Sequence, residues 1–77
     1  MNNFDFRTKD IYLASSLIAS GYDYILQKND KQYSFCFTDR LKTINKSVDD
    51  YWNGNILIDP KKVFDAFKQL KTRINDY

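Results

Sequence analysis

The chain has 77 residues, the size of one domain built around a single core. With 43% hydrophobic and 29% charged residues, two Gly and one Pro, it is neither disordered nor collagen-like, and a formal charge of +2 is too small to demand an anionic partner. It has no His and one Cys, which removes the commonest general base, the usual zinc patterns and any internal disulfide.

Apolar runs are only a few residues long, against the roughly 20 that a membrane helix needs. The opening MNNFDFRTKD has neither an apolar stretch nor a cationic start, so no signal peptide is expected. A lone Cys suits a reducing cytoplasm, the expected location, with no membrane partner. One domain over residues 1–77 is expected.

Phe4-Asp5-Phe6 alternates apolar and polar, as an edge strand or an arm laid on the core would. Thr8 is placed to cap a first helix, with Asp10 in its first turn. Ile11, Ala14, Leu17 and Ile18 repeat at helical spacing and Gly21 follows as a stop, which predicts a helix over about residues 9–20.

Residues 22–28 (YDYILQK) and 32–38 (QYSFCFT) change the period to 2. With Asn29-Asp30 as the turn, Lys28 opposes Lys31, Leu26 opposes Tyr33, Tyr24 opposes Phe35, and Tyr22 opposes Phe37. Those inner six share an apolar face, while Asp23, Ile25, Gln27, Gln32, Ser34 and Cys36 share a mostly polar one. A one-residue slip would mix the two sets.

Thr38 or Asp39 is expected to cap a second helix, whose apolar stripe is Leu41, Ile44, Val48 and either Tyr51 or Trp52, stopped by Gly54. Asn55-Ile56-Leu57-Ile58 reads as a short third strand. Asp59-Pro60 then joins a capping acceptor to a preset φ, and a third helix is predicted over about 60–74. At 100° per residue Val63, Phe67, Leu70 and Ile74 form its apolar side, with Phe64 at the margin. The order α–β–β–α–(β)–α, with an antiparallel hairpin whose aromatic face is covered by helices, defines an α+β domain.

Little in this inventory is suited to catalysis. Cys36 sits on a strand with no His to activate it, Ser15-Ser16 have no base, and Asp49-Asp50 diverge by about 100° on a helix. A salt-bridged cap around Arg7 accounts for Asp5 and Asp10. No Gly-rich phosphate loop is present, and nothing resembles an EF-hand, although scattered Asp leave an oxygen-ligand Mg²⁺ or Ca²⁺ site open. No enzyme activity and no cofactor are expected.

Binding signals are softer. Residues 1–38 balance four basic against four acidic side chains, while residues 39–77 hold eight basic and six acidic ones, so attraction for phosphate belongs to the C-terminal half. The third helix carries Lys61, Lys62, Lys68 and Arg73 around its polar side; a solvated face is the simpler reading, a phosphate-contacting face the functional one. Asp65 is placed to pair with Lys61 or Lys68. Lys28 and Lys31 at the hairpin tip serve either nucleic-acid contact or protection against edge aggregation. Tyr22, Tyr24 and Tyr33 beside lysines are similar to a stacking platform for single strands, but the helices need that face as core. Of Tyr51 and Trp52, one seals the second helix and the other is left as a partner-binding anchor, unless the third helix covers it.

The ordered strings FRTKDIYLASSLIASGY, YSFCF, YWNG and IDPKKVFDAFKQLKTRI, spanning about residues 4–75, resemble a small uncharacterised domain family of bacteria, archaea, plasmids and phages. The matching positions are Phe6, Thr8, Asp10, Tyr12, Ala14, Gly21, Asn53, Gly54, Asp59, Pro60, Phe64, Leu70 and Lys71. The resemblance implies a stand-alone accessory role in the setting of mobile elements, and no mechanism.

These readings converge on a non-catalytic accessory protein that contacts nucleic acid or a nucleoprotein complex through Lys28, Lys31, Lys61, Lys62, Lys68, Arg73, Tyr51 and Trp52. The rival is a protein-docking inhibitor of a host complex, such as a phage anti-defence module, anchored by Tyr51 and Trp52. Pairing of two copies through a sheet edge is a further expected mode of association.

Overall fold

The computed structural model describes residues 4–39 and 42–76. In chain order it runs β1 (Phe6–Thr8), α1 (Ile11–Ala19), β2 (Asp23–Asn29), β3 (Gln32–Thr38), α2 (Ile44–Trp52) and α3 (Pro60–Asn75). Leu41, expected on the second helix's stripe, and Arg40 lie outside the described residues.

The period-2 segment forms the predicted hairpin with a shifted register. Tyr24 pairs with Phe37, Leu26 with Phe35, Lys28 with Tyr33 and Asn29 with Gln32, so the turn residues are Asp30-Lys31 and not Asn29-Asp30. Asp30 adopts a left-handed φ of 58°, which Asp tolerates better than most residues. The shift moves each partner by two residues, an even number, so every ring keeps its face. It also places an aromatic ring instead of Lys31 opposite Lys28, removing a like-charge pair.

The third strand is an N-terminal edge strand, overlapping the Phe4–Phe6 alternation at Phe6, and not the strand expected at residues 55–58. The sheet order is β1-β3-β2, with Phe6 paired to Phe37 and Thr8 to Phe35. Residues 55–58 form no strand; Ile56 and Ile58 are half-buried in the connection to α3 and Leu57 is exposed.

Helix ends follow local chemistry. Asp10, not Thr8, caps α1: its carboxylate accepts the N–H groups of Tyr12 (2.9 Å) and Leu13 (3.2 Å). Thr8 belongs to β1, and its hydroxyl accepts the Asp10 N–H instead. Gly21 ends α1 with φ 103°, and Gly54 follows α2 with φ 73°, conformations that glycine adopts without a Cβ clash. Asp59 caps α3 through the Lys61 N–H at 3.0 Å, directly before Pro60. No capping side chain serves α2 at Thr43; instead Asp39, buried before the helix, accepts the Ile44 N–H at 2.6 Å.

The core joins Leu26, Phe35 and Phe37 of the sheet to Leu13, Ala14 and Leu17 of α1, Ile44 of α2 and Leu70 of α3. Tyr22, Tyr24 and Tyr33 pack half-buried at its rim. The helices therefore roof the aromatic face of the hairpin, as the sequence required. The Tyr22 hydroxyl hydrogen-bonds Thr43 and Ser47, tying α2 to the start of β2. Cys36, on the other face of the central strand between Arg7 and Ile25, is fully buried. Among the described residues no helix is long and apolar enough to cross a membrane.

Candidate functional site

The basic residues singled out in the sequence do not form one surface. Lys61 and Lys68 point away from the core on α3, Lys62 and Arg73 lie on one flank, and Lys71 lies on the other with Phe64. Arg73 is already engaged: its guanidinium donates to the Tyr24 hydroxyl at 2.7 Å and lies 5.2 Å from that ring's centre. The Lys28 ammonium sits 5.7 Å above the Tyr33 ring, and Lys31 is in the hairpin turn. Asp65 forms no ion pair with Lys61 or Lys68 among the described residues, whereas Asp5 pairs with Lys42 at 2.6 Å and Asp50 with Lys46 at 3.4 Å. Asp5 thus pairs with Lys42 rather than Arg7.

Tyr51 and Trp52 divide as their 100° divergence demands. Tyr51 packs half-buried against the core, and Trp52 stands 64% exposed, its ring edge-on to Tyr51 at 5.1 Å. Helix α3 does not cover Trp52.

A different surface gathers the chemistry. Where α3 crosses α1, Ser15 of α1 and Ala66 of α3 are both buried. The large rings are displaced to the open side of that crossing. Tyr12 stacks on Phe67 with centroids 5.5 Å apart and planes 7° from parallel. Tyr12 and Phe64 are nonetheless 64% and 65% exposed.

Two grooves meet at this stacked pair. Toward the hairpin, a groove of about 460 Å³ is lined by Tyr12, Tyr33, Phe35 and Phe67, with Lys9 and Lys71 at its rim and no carboxylate in its walls. Lys9 donates to Gln32 at 2.5 Å, bridging α1's entry to the hairpin end, and the Lys71 ammonium lies 5.9 Å from the Phe67 ring centre. Toward α2, a groove of about 300 Å³ is lined by Tyr12, Ser16, Tyr51, Val63, Phe64 and Phe67.

In the second groove, Ser16 is 6% exposed, and its hydroxyl makes no hydrogen bond among the described residues. Burial, and then the nearby Asp10 and Tyr12, push the Tyr51 phenol above its ordinary value of 10.0, so it remains a proton donor at neutral pH. Among the described residues no three Asp or Cys side chains converge as a metal site.

Sequence reasoning missed Lys9, Tyr12, Ser16, Phe67 and Lys71 as site residues, and placed Phe64 only at the margin of a helix's apolar side. One signal was present. Tyr12 stands off the Ile11–Ala14–Leu17–Ile18 stripe, and Phe64 stands at the edge of its own, so neither ring had an assigned place in the core.

The molecule is a small α+β domain: three helices cover one face of a three-stranded antiparallel sheet, and a lysine-rimmed aromatic trough opens between the first and third helices. No protein family, no curated protein and no solved structure matches the chain.

Proposed function

We propose that this chain is a non-catalytic accessory protein that binds nucleic acid along the trough between α1 and α3. The supporting observation is the groove in which Lys9 and Lys71 flank the rings of Tyr12, Tyr33 and Phe67 with no carboxylate in the walls. Cationic side chains that track a backbone, beside rings on which bases stack, are the two components of sequence-tolerant nucleic-acid binding. Lys61 and Lys68 extend the positive rim past Phe64, since residues three before and four after a helical position are its neighbours. A cytoplasmic accessory role in the setting of a mobile element agrees with the resemblance of the sequence.

Anisotropy titration with labelled oligonucleotides at increasing salt tests this reading. Affinity should fall steeply with salt, and Lys71→Ala and Lys9→Ala should each weaken binding and reduce the salt slope by about one. Absence of binding at low salt to single- or double-stranded DNA or RNA would remove the proposal.

A second reading, docking to a protein, draws on the α2 end and the connection after it. Trp52 is exposed and Leu57 is 97% exposed, and large exposed apolar side chains are the usual anchors of protein interfaces. On this reading affinity depends little on salt, and Trp52→Ala loses the partner while oligonucleotide binding is unchanged.

A further inference from the structure

We infer that the nucleic acid taken by this trough is single-stranded, with an unpaired base entering the groove formed by Tyr12, Ser16, Tyr51 and Phe64. The inference rests on the nucleic-acid reading above and narrows it to one substrate class.

Shape gives the first reason. A duplex hides its base faces and is read by an element that protrudes into a groove, commonly a helix or a two-stranded ribbon. Here the aromatic surface is recessed between two helices, and its flanking rings, Tyr12 and Phe64, rise from opposite walls. A recess of about 300 Å³ with mainly apolar walls admits a flat ring that has left its stack.

Polar chemistry inside the recess gives the second. A groove whose apolar walls also carry hydroxyl groups offers a base edge hydrogen bonds that a purely apolar slot does not. Ser16 supplies one hydroxyl to the walls and Tyr51 a second. Base edges carry the donors and acceptors that both groups need.

Charge gives the third. Phe64 is followed at four and seven residues by Lys68 and Lys71 and preceded at three by Lys61, all exposed. Phosphates on the α3 side of an inserted base would meet these cations, whereas an acidic peptide would satisfy the lysines and leave the two hydroxyls and the ring slot unexplained.

Anisotropy at low salt with a labelled oligothymidylate or oligouridylate, the same strand annealed to its complement, and a poly-glutamate peptide tests the inference. Wild type is expected to prefer the single strand. Phe64→Ala should weaken single-strand binding by roughly fivefold to a hundredfold, the range of one base–aromatic stack. Phe64→Trp should retain it, and Ser16→Ala should weaken it by a smaller factor. Phe64 is exposed, so circular dichroism should show both Phe64 variants folded, and the same measurement checks the fold of Ser16→Ala. Equal binding of duplex and single strand, or single-strand binding untouched by Phe64→Ala, overturns the inference while leaving nucleic-acid binding intact. Binding of neither oligonucleotide overturns both readings, and binding of poly-glutamate alone overturns both in favour of an acidic protein partner.

Discussion

The carboxylate of Asp5 accepts the backbone N–H of Asp39 at 2.6 Å, although 34 residues separate the two. The same carboxylate pairs with Lys42, and the Asp39 carboxylate in turn accepts the Ile44 N–H that opens α2. The end of β3, the loop after it and the start of the second helix are therefore held by the segment that leads into β1. Lys42 itself sits at φ 58°, a left-handed conformation uncommon for Lys, within this clamp.

Acid should loosen that clamp. The Lys42 ammonium first, and then the Asp39 N–H, hold the Asp5 carboxyl below its ordinary 3.8. A lowered native pKa means that the charged form stabilises the fold; the contribution is complete above about 3.8 and is lost as pH falls through the native value. Lys42 is raised above 10.5 by the same partner, so its share is complete below that pH and fades as pH rises through its native value. Urea midpoints measured across pH should fall at both ends for wild type. Asp5→Asn should be less stable at neutral pH and flatter at both extremes; identical pH profiles would refute the clamp.

The caps make a second prediction. Asp10→Ala removes the acceptor of two N–H groups and should cost about 1 kcal/mol, or roughly 4–8 °C in melting temperature for a domain of this size. Thr8→Ala, which leaves that cap in place, should cost less. Thermal melts that rank the two in the opposite order would return the capping role to Thr8.

The two faces of the sheet should differ sharply in tolerance. Phe35→Ala opens a cavity in the buried face and should cost about 3–5 kcal/mol, a large part of the roughly 5–15 kcal/mol typical of a whole domain. Ile25→Ala, on the open face, should stay within about 1 kcal/mol. Chemical denaturation showing comparable losses would place a covering layer on the outer face as well.

Arg73 should matter for the fold rather than for ligand. A double-mutant cycle of Arg73→Gln with Tyr24→Leu should return a coupling of about 0.5–1 kcal/mol from the guanidinium over the ring. Oligonucleotide affinity of Arg73→Gln should drop less than that of Lys71→Ala. A larger drop would restore Arg73 to the binding surface.

What could be read along the chain was whatever neighbouring residues decide. Tyr24, Leu26, Phe35 and Phe37 share a face because strands alternate, and Gly21, Gly54 and Asp59-Pro60 mark helix ends because their backbone preferences act on the spot. The register was not legible. A turn at Asn29-Asp30 and one at Asp30-Lys31 bury the same rings, so hydrophobic pattern cannot choose between them. Asp30's tolerance of a left-handed φ and the avoided Lys28–Lys31 pair favour the second.

Sequence alone settled the α+β class, the buried face of the hairpin and the start of α3, since each follows from periodicity or from the conformational limits of single residues. Tertiary structure decided that residues 6–8 and not 55–58 complete the sheet, that Arg73 is spent on Tyr24, and that Lys9, Tyr12, Phe64, Phe67 and Lys71 line two grooves meeting at the Tyr12–Phe67 stack. Those residues lie more than 50 positions apart, and only the packing of α3 along α1 makes them neighbours. Local preference carries no information about such a crossing, because it is set by how ridges and small residues of two distant helices fit together.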